Sequence, residues 1–327
     1  MNMLLLTLTV PVRLCGQSGG LGAILRLDPA LDEIVAADAR IEKVAGGFKF
    51  TEGPVWIHDG YLLFSDIPNN VINKWTPDGK VAAFMKPSGY RGTAPFKGRE
   101  PGSNGLTLDR EGRLTIAEHA GRRVTRLEKD GKLTVLADKY EGKRLNSPND
   151  LVWKSDGSLY FTDPPYGLET QGDDDPLKEL PFNGVYRVAE GKLQLLITDL
   201  TRPNGIAFSP DEKYLYVAVS DSAKMVWMRY AVQPDGTVAN GKVFFDATSS
   251  PEDGAPDGMK VDQKGNIYGT GPGGVWIFSP EGKHLGTIKP PEVPANCNWG
   301  DADGKTLYMT ARTGLYRIRL KIPGIRP

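Results

Sequence analysis

One pattern recurs six times along this chain and restricts its fold more than any other feature. A polar head, most often Asn or Asp followed by Gly, opens an apolar run; a turn and a second apolar run follow. The first copy is Glu52-Gly53-Pro54-Val55-Trp56, leading to 61–66. The next three open on Asn104-Gly105-Leu106, Asn149-Asp150-Leu151 and Asn204-Gly205-Ile206. The fifth opens on Asp257-Gly258-Met259, and a weaker sixth on Asn298-Trp299-Gly300. Further apolar pairs at 71–75 and 81–85, 123–127 and 133–136, and 184–188 and 193–197 supply third and fourth strands. Pro77-Asp78-Gly79, Lys129-Asp130-Gly131 and Ala189-Glu190-Gly191 link them as hairpin turns, with Gly accepting the positive φ.

A period of roughly 40–55 residues with several strands per unit predicts an all-β fold, a six-bladed β-propeller. Gly is 39 and Pro 25 of 327 residues, above ordinary usage, as many short strands and turns require. The last unit reaches only its third strand, at 315–318. An N-terminal strand within 40–50 is expected to supply the fourth and close the ring, which removes exposed sheet edges. A short helix is expected within 28–38. No linker divides the chain, so 28–323 reads as a single propeller domain.

The charges cancel, 40 basic against 40 acidic residues, and no basic run stands out, so no nucleic-acid partner is expected. Cys15 and Cys297 can build neither a disulfide framework nor a Cys-based zinc site; Cys297 reads as a buried small residue. Residues 1–12 are apolar but too short to span a bilayer. They lack the basic start of a secretory leader. The expectation is a leader over 1–20 and no membrane span, with a periplasmic or secreted location favoured over a cytoplasmic one. The oligomeric state is not legible.

In a propeller the innermost strand of each blade lines a central channel. Aligning the repeats puts Glu52, Asn104, Asn149, Asn204, Asp257 and Asn298 at one position, all oxygen donors. Asn and Asp are depleted in strands, so the coincidence needs a cause. Turn chemistry competes as an explanation, because Asn-Gly and Asp-Gly form turns; it does not account for Glu52. Two carboxylates with amide oxygens form a hard donor set without His or Cys. That set favours one divalent cation, Ca²⁺ first, with Mg²⁺, Mn²⁺ or Zn²⁺ as alternatives.

Several runs resemble the SMP-30/gluconolactonase/luciferin-regenerating-enzyme family, in its bacterial gluconolactonase branch. They are Thr51-Glu52-Gly53-Pro54-Val55-Trp56; Asn146-Ser147-Pro148-Asn149-Asp150 with Phe161-Thr162-Asp163-Pro164-Pro165-Tyr166-Gly167; and Arg202-Pro203-Asn204-Gly205 with Ser209-Pro210-Asp211. Pro256-Asp257-Gly258-Met259 and Ala117-Glu118-His119 with Arg122-Arg123-Val124 complete the set. Each motif alone is weak; five in order at propeller spacing are specific. The resemblance implies a six-bladed propeller that hydrolyses sugar lactones and related cyclic esters. It also implies a catalytic divalent metal held by Glu52, Asn149, Asn204 and Asp257. Some members hydrolyse organophosphates, so the family leaves the substrate open.

A lactone needs its carbonyl polarised and a water delivered to the carbonyl carbon, and a bound cation does both. Asp257 is the first candidate base and Asp150, beside a ligand, the second. Asn104, His119, Asn149 and Tyr166 are candidate substrate contacts. His58 and His284 read as hairpin-turn residues. Asp163 reads as a pocket or second-cation residue, or as loop packing. The loop 90–103, carrying Arg91, Lys97 and Arg99, reads as a lid or a solvated connection. Nucleophilic catalysis is not expected, because no Ser-His-acid order is recognisable. Gly269-Thr270-Gly271-Pro272-Gly273-Gly274 lacks the Lys of a phosphate loop and reads as a turn. The favoured reading is a metal-dependent lactonase acting on a small-molecule lactone. The alternatives are a hydrolase of other esters or phosphotriesters on the same scaffold, and a non-enzymatic Ca²⁺-binding propeller.

Overall fold

A computed structural model describes residues 20–325. Apart from Gly20, the expected leader lies outside the described residues, as does Cys15. The described chain forms six antiparallel sheets arranged as the blades of a propeller, five of four strands and one of five, plus a small hairpin at Lys139–Tyr140 and Lys143–Arg144. The innermost strands are Thr51–Ile57, Leu106–Leu108, Leu151–Trp153, Pro203–Phe208, Met259–Val261 and Pro294–Gly300, for blades one to six.

Ring closure follows the expectation and adds to it. Ile41–Gly46 pairs with Gly314–Arg319 and completes blade six from the N-terminal side. Ala23–Arg26, which no sequence signal marked, pairs with His284–Lys289 as a fifth strand of blade five. Between them lies a 3-10 turn at Pro29–Glu33, started by the Asp28 carboxylate accepting the Ala30 N–H. The N-terminal segment is therefore tied into two adjacent blades.

Aromatic pairs join neighbouring blades. Tyr160 meets Phe208 at 4.9 Å, Trp227 meets Phe278 at 5.0 Å, Tyr268 meets Trp299 at 4.9 Å, and Trp56 stacks on Tyr308 at 5.6 Å across the closure. Each such pair adds to the area it buries through edge or offset ring contact. The expected hairpin turns are present, with Gly79, Gly131 and Gly191 at φ of 84°, 82° and 72°. The 269–274 run is the hairpin between Ile267–Gly271 and Gly274–Phe278. Cys297 is fully buried, as read. Among the described residues no helix is long and apolar enough to cross a membrane.

Two sequence readings need correction. His284 is not in a turn. It begins the fourth strand of blade five and stacks on Trp276 at 4.2 Å; burial lowers its pKa to about 4. The head of the sixth repeat lies three residues earlier in the chain than the sequence pattern places it. Its equivalent of the ring position is Ala295, because Gly258 N–H donates to the Ala295 carbonyl as Gly105 N–H donates to Asn149. Asn298 instead donates to the Pro54 carbonyl at 2.8 Å. A bulge between Pro294 and Asn296 moves the strand register and hid the correct alignment.

Candidate active site

The Asn-Gly and Asp-Gly heads are not turns. They open the innermost strands, and their glycines allow adjacent blades to touch. A Cβ on Gly105 would stand 2.5 Å from the Asn149 carbonyl oxygen, and one on Gly205 2.1 Å from that of Asp257. Only glycine permits that approach. Hydroxyls from second strands strengthen the same seam. Ser65 donates to the Asn104 carbonyl, Thr162 to that of Asn204 and Thr270 to that of Ala295, at 2.7–2.8 Å. These contacts use the backbone carbonyls of the ring residues and leave their side chains to other partners.

Glu52, Asn104, Asn149, Asn204 and Asp257 therefore occupy one level of the channel, one from each of five blades. All but Asp257 are buried, and Asp257 keeps an open edge. Glu52 Oε2 accepts the Gly53 N–H at 2.6 Å and the Asn296 side-chain amide at 2.9 Å. Asn204 donates its amide to Ser220 Oγ at 3.1 Å, and the Asn104 and Asn204 Oδ1 atoms are buried without a hydrogen-bond partner. Buried polar atoms in native folds are nearly always paired, so two orphaned oxygens on one ring mark a place for a donor or a cation.

The carboxylates repel one another. Burial first, and then the Asp150 charge, raises the Glu52 pKa to about 8. Burial, followed by the charges of Glu52, Asp150 and Glu100, raises Asp257 well above its ordinary value. Asp150 fills, in blade three, the position that glycine takes in four other blades. Its Oδ1 accepts the Leu151 N–H at 2.9 Å. Its Oδ2 lies 3.5 Å from the ammonium of Lys260, which comes from the innermost strand of blade five. Among the described residues no three His, Cys, Asp or Glu side chains form a metal cluster; the ring owes most of its oxygens to amides.

The other candidates lie around the channel mouth. Tyr166 is half-buried, its hydroxyl 3.0 Å from Ser220 Oγ, and burial pushes its pKa up to about 12. His119 is fully buried, with Nδ1 3.0 Å from the Pro148 carbonyl and Nε2 3.0 Å from Glu100 Oε2. The two contacts fix the ring against the Pro148 carbonyl and hold Glu100 in place. Asp163 packs its loop. Its two oxygens accept the N–H groups of Asn146 and Ser147, shaping the approach to Asn149, and burial raises its pKa to about 7. His58 follows Thr51–Ile57 in a hairpin turn, as read.

Four residues near the site went unread: Asn296, Lys260, Glu100 and Ser220. Lys260 had a signal, since a lysine inside an apolar innermost strand needs a partner. Asn296 was hidden by the register error. Glu100 and Ser220 come together with His119 and Asn204 only through tertiary folding.

Residues 50–313 match the model of the SMP-30/Gluconolactonase/LRE-like region. The chain is 41% identical to a gluconolactonase of Zymomonas mobilis, over 93% of this chain and 88% of that one. A solved gluconolactonase structure from Xanthomonas campestris superposes with a TM-score of 0.78 at 32% identity, covering 91% of this chain and 94% of that one. Regucalcin from Agrobacterium tumefaciens, described as a calcium-binding protein, shares the fold with a TM-score of 0.68 at 20% identity, over 87% and 95% of the two chains.

Proposed function

This chain belongs to the SMP-30/gluconolactonase/LRE-like family, and on that ground we propose that it is a lactonase, a carboxylic-ester hydrolase that opens sugar lactones with the help of one divalent cation. The observation that carries the reading is the convergence of Glu52, Asn104, Asn149, Asn204 and Asp257 on one channel level, with two buried amide oxygens left unpartnered. The donor set fits a hard cation. Formal charge supports the fit: with Glu52, Asp150 and Asp257 all ionised, three negative charges would face one positive charge on Lys260, an excess that a divalent ion neutralises.

Glu52, Asn149, Asn204 and Asp257 would hold the ion, which Ca²⁺ suits best. When bound, such an ion polarises the lactone carbonyl and makes a nearby water more acidic. The residues supply the rest. Asp257, only partly buried, accepts the proton of the attacking water. Asp150 has both oxygens engaged, so it positions Lys260 and does not act as base. Asn296 orients the Glu52 carboxylate. Asn104 and Tyr166 face the sugar hydroxyls, and His119 acts by holding Glu100.

The test is hydrolysis of an aldonolactone panel, with a phosphotriester included, after chelation and after return of Ca²⁺, Mg²⁺, Mn²⁺ or Zn²⁺. Metal-restored lactone turnover that is absent in Glu52→Gln supports the reading. Turnover of the phosphotriester alone would move the chain to a different ester class. A metal-loaded protein inactive on every substrate would leave a binding role.

A further inference from the structure

Beside the channel mouth lies a groove of about 400 Å³ that the reaction scheme above does not use. Its lining residues include Arg91, Arg122, Arg123 and Arg144, against one acidic residue, Glu169. Tyr90 and Phe96, their rings 5.2 Å apart, form an aromatic wall.

The arginines are only partly neutralised from behind. Glu118, fully buried, accepts Arg123 Nε at 2.8 Å and stands 3.6 Å from Arg91. Glu179 stands 3.6 Å from Arg122. Arg144 donates to the Gly121 carbonyl at 3.2 Å and makes no ion pair among the described residues. Arg122 is nearly buried, bonded to the Leu145 carbonyl at 2.7 Å and held at a left-handed φ of 59°. Burial, and then the neighbouring Arg144 charge, pulls its pKa down. A site that holds a cationic side chain in strained backbone beside a second guanidinium has a field suited to an anion.

Three loops border both the groove and the channel. Glu100, His119 and Tyr166 serve the channel mouth. Tyr90 to Phe96, Ala120 to Arg123 and Gly167 to Glu169, from the same loops, line the groove. Gly167 packs directly on His119, where a Cβ would stand 2.7 Å from the ring.

Resting on the lactonase reading, we infer that this groove is a subsite for a negatively charged terminus of the sugar, a phosphate, sulfonate or carboxylate, and that the enzyme favours acidic sugar lactones over neutral ones. Guanidinium groups pair with such oxyanions in bidentate fashion, and the aromatic wall suits the C–H face of a sugar.

The experiment uses the metal-loaded full chain. It reads inhibition of gluconolactone turnover by gluconate and by 6-phosphogluconate, which differ in the terminal phosphate. The expected result is competitive inhibition at least about 10-fold tighter for 6-phosphogluconate, the scale of one charge-assisted contact. Arg144→Gln, alone and combined with Arg91→Gln, should erase that difference and leave kcat/KM for the neutral lactone unchanged. Equal inhibition by both anions, a difference that survives the double variant, or phosphate-dependent binding that does not compete with lactone would each overturn the subsite. If the wild type fails to open gluconolactone, the lactonase reading falls separately. Calorimetry of the two anions then still tests the groove: phosphate-dependent binding lost in the variants upholds it, and absence of such binding overturns it.

Discussion

After burial, the Asp150 charge resists ionisation of Glu52, and the Glu52 charge resists ionisation of Asp257. Isosteric amides at Glu52 and Asp257 remove charge without removing bulk. Glu52→Gln should lose the cation and with it turnover, read as a fall in kcat/KM of at least about 100-fold together with weakened metal binding by calorimetry. Asp257→Asn should lose as much turnover while retaining part of the metal affinity. Near-normal turnover in metal-loaded Asp257→Asn would remove the base assignment. Asn296→Ala deletes the side-chain donor to Glu52 and should cost about 1–3 kcal/mol of stability in urea unfolding, the scale of leaving a buried oxygen short of its donor. At this scale the sequence was informative about identity and weak about role. Oxygen donors at a repeated position announced a ring. Whether His119 touches substrate or holds Glu100 depended on a loop from another blade.

At the scale of the strand, the innermost elements are held at their heads by glycine and by hydroxyl-to-carbonyl bridges. Gly205→Ala would press a methyl against the Asp257 carbonyl, a backbone atom that cannot rotate away. It should destabilise by about 1–3 kcal/mol, as overpacking does, and lower activity by displacing Asp257; thermal unfolding and kinetics on the same sample check both. The outer strands show how far periodicity reads. Val71–Trp75, Val81–Met85 and Arg123–Leu127 fell at their expected bounds, because alternating apolar residues between Gly turns specify them locally. Ala23–Arg26 escaped notice because four residues without a flanking partner carry no periodic signal. The Asn298 misalignment arose where a bulge broke the period.

The whole molecule depends on closure of the ring. Removing 20–46 would strip the edge partners from Gly314–Arg319 and His284–Lys289 together. The shortened chain should lose cooperativity in thermal unfolding and aggregate by size-exclusion chromatography, since two sheet edges would be open to pairing. Buried acids also give stability a pH signature. Glu52 and Asp163 have folded pKa values raised to about 8 and about 7, above their ordinary 4.5 and 3.8. Their contribution is present below the unfolded values and is lost as pH rises through the folded ones. His284, lowered to about 4 from 6.5, acts in the opposite sense but only below about 6.5. Between pH 6.5 and 8 the chelated protein should therefore become less stable to urea. Added Ca²⁺ should reverse the part that comes from the ring, because an ion bound there stabilises ionised Glu52.

The sequence by itself determined the blade count, the all-β class and five of the residues at the centre. Those properties repeat, and repetition at a fixed period is a local record of a global symmetry. Tertiary structure alone decided what repetition cannot encode. It set the register of the last blade, where Ala295 takes a position that Asn298 had claimed. It joined Lys260 to Asp150, placed Glu100 against His119, and gathered four arginines from three segments of the chain into one groove. Each of these rests on contacts between segments distant in sequence, whose partners are chosen by the closing of the ring and not by their neighbours along the chain.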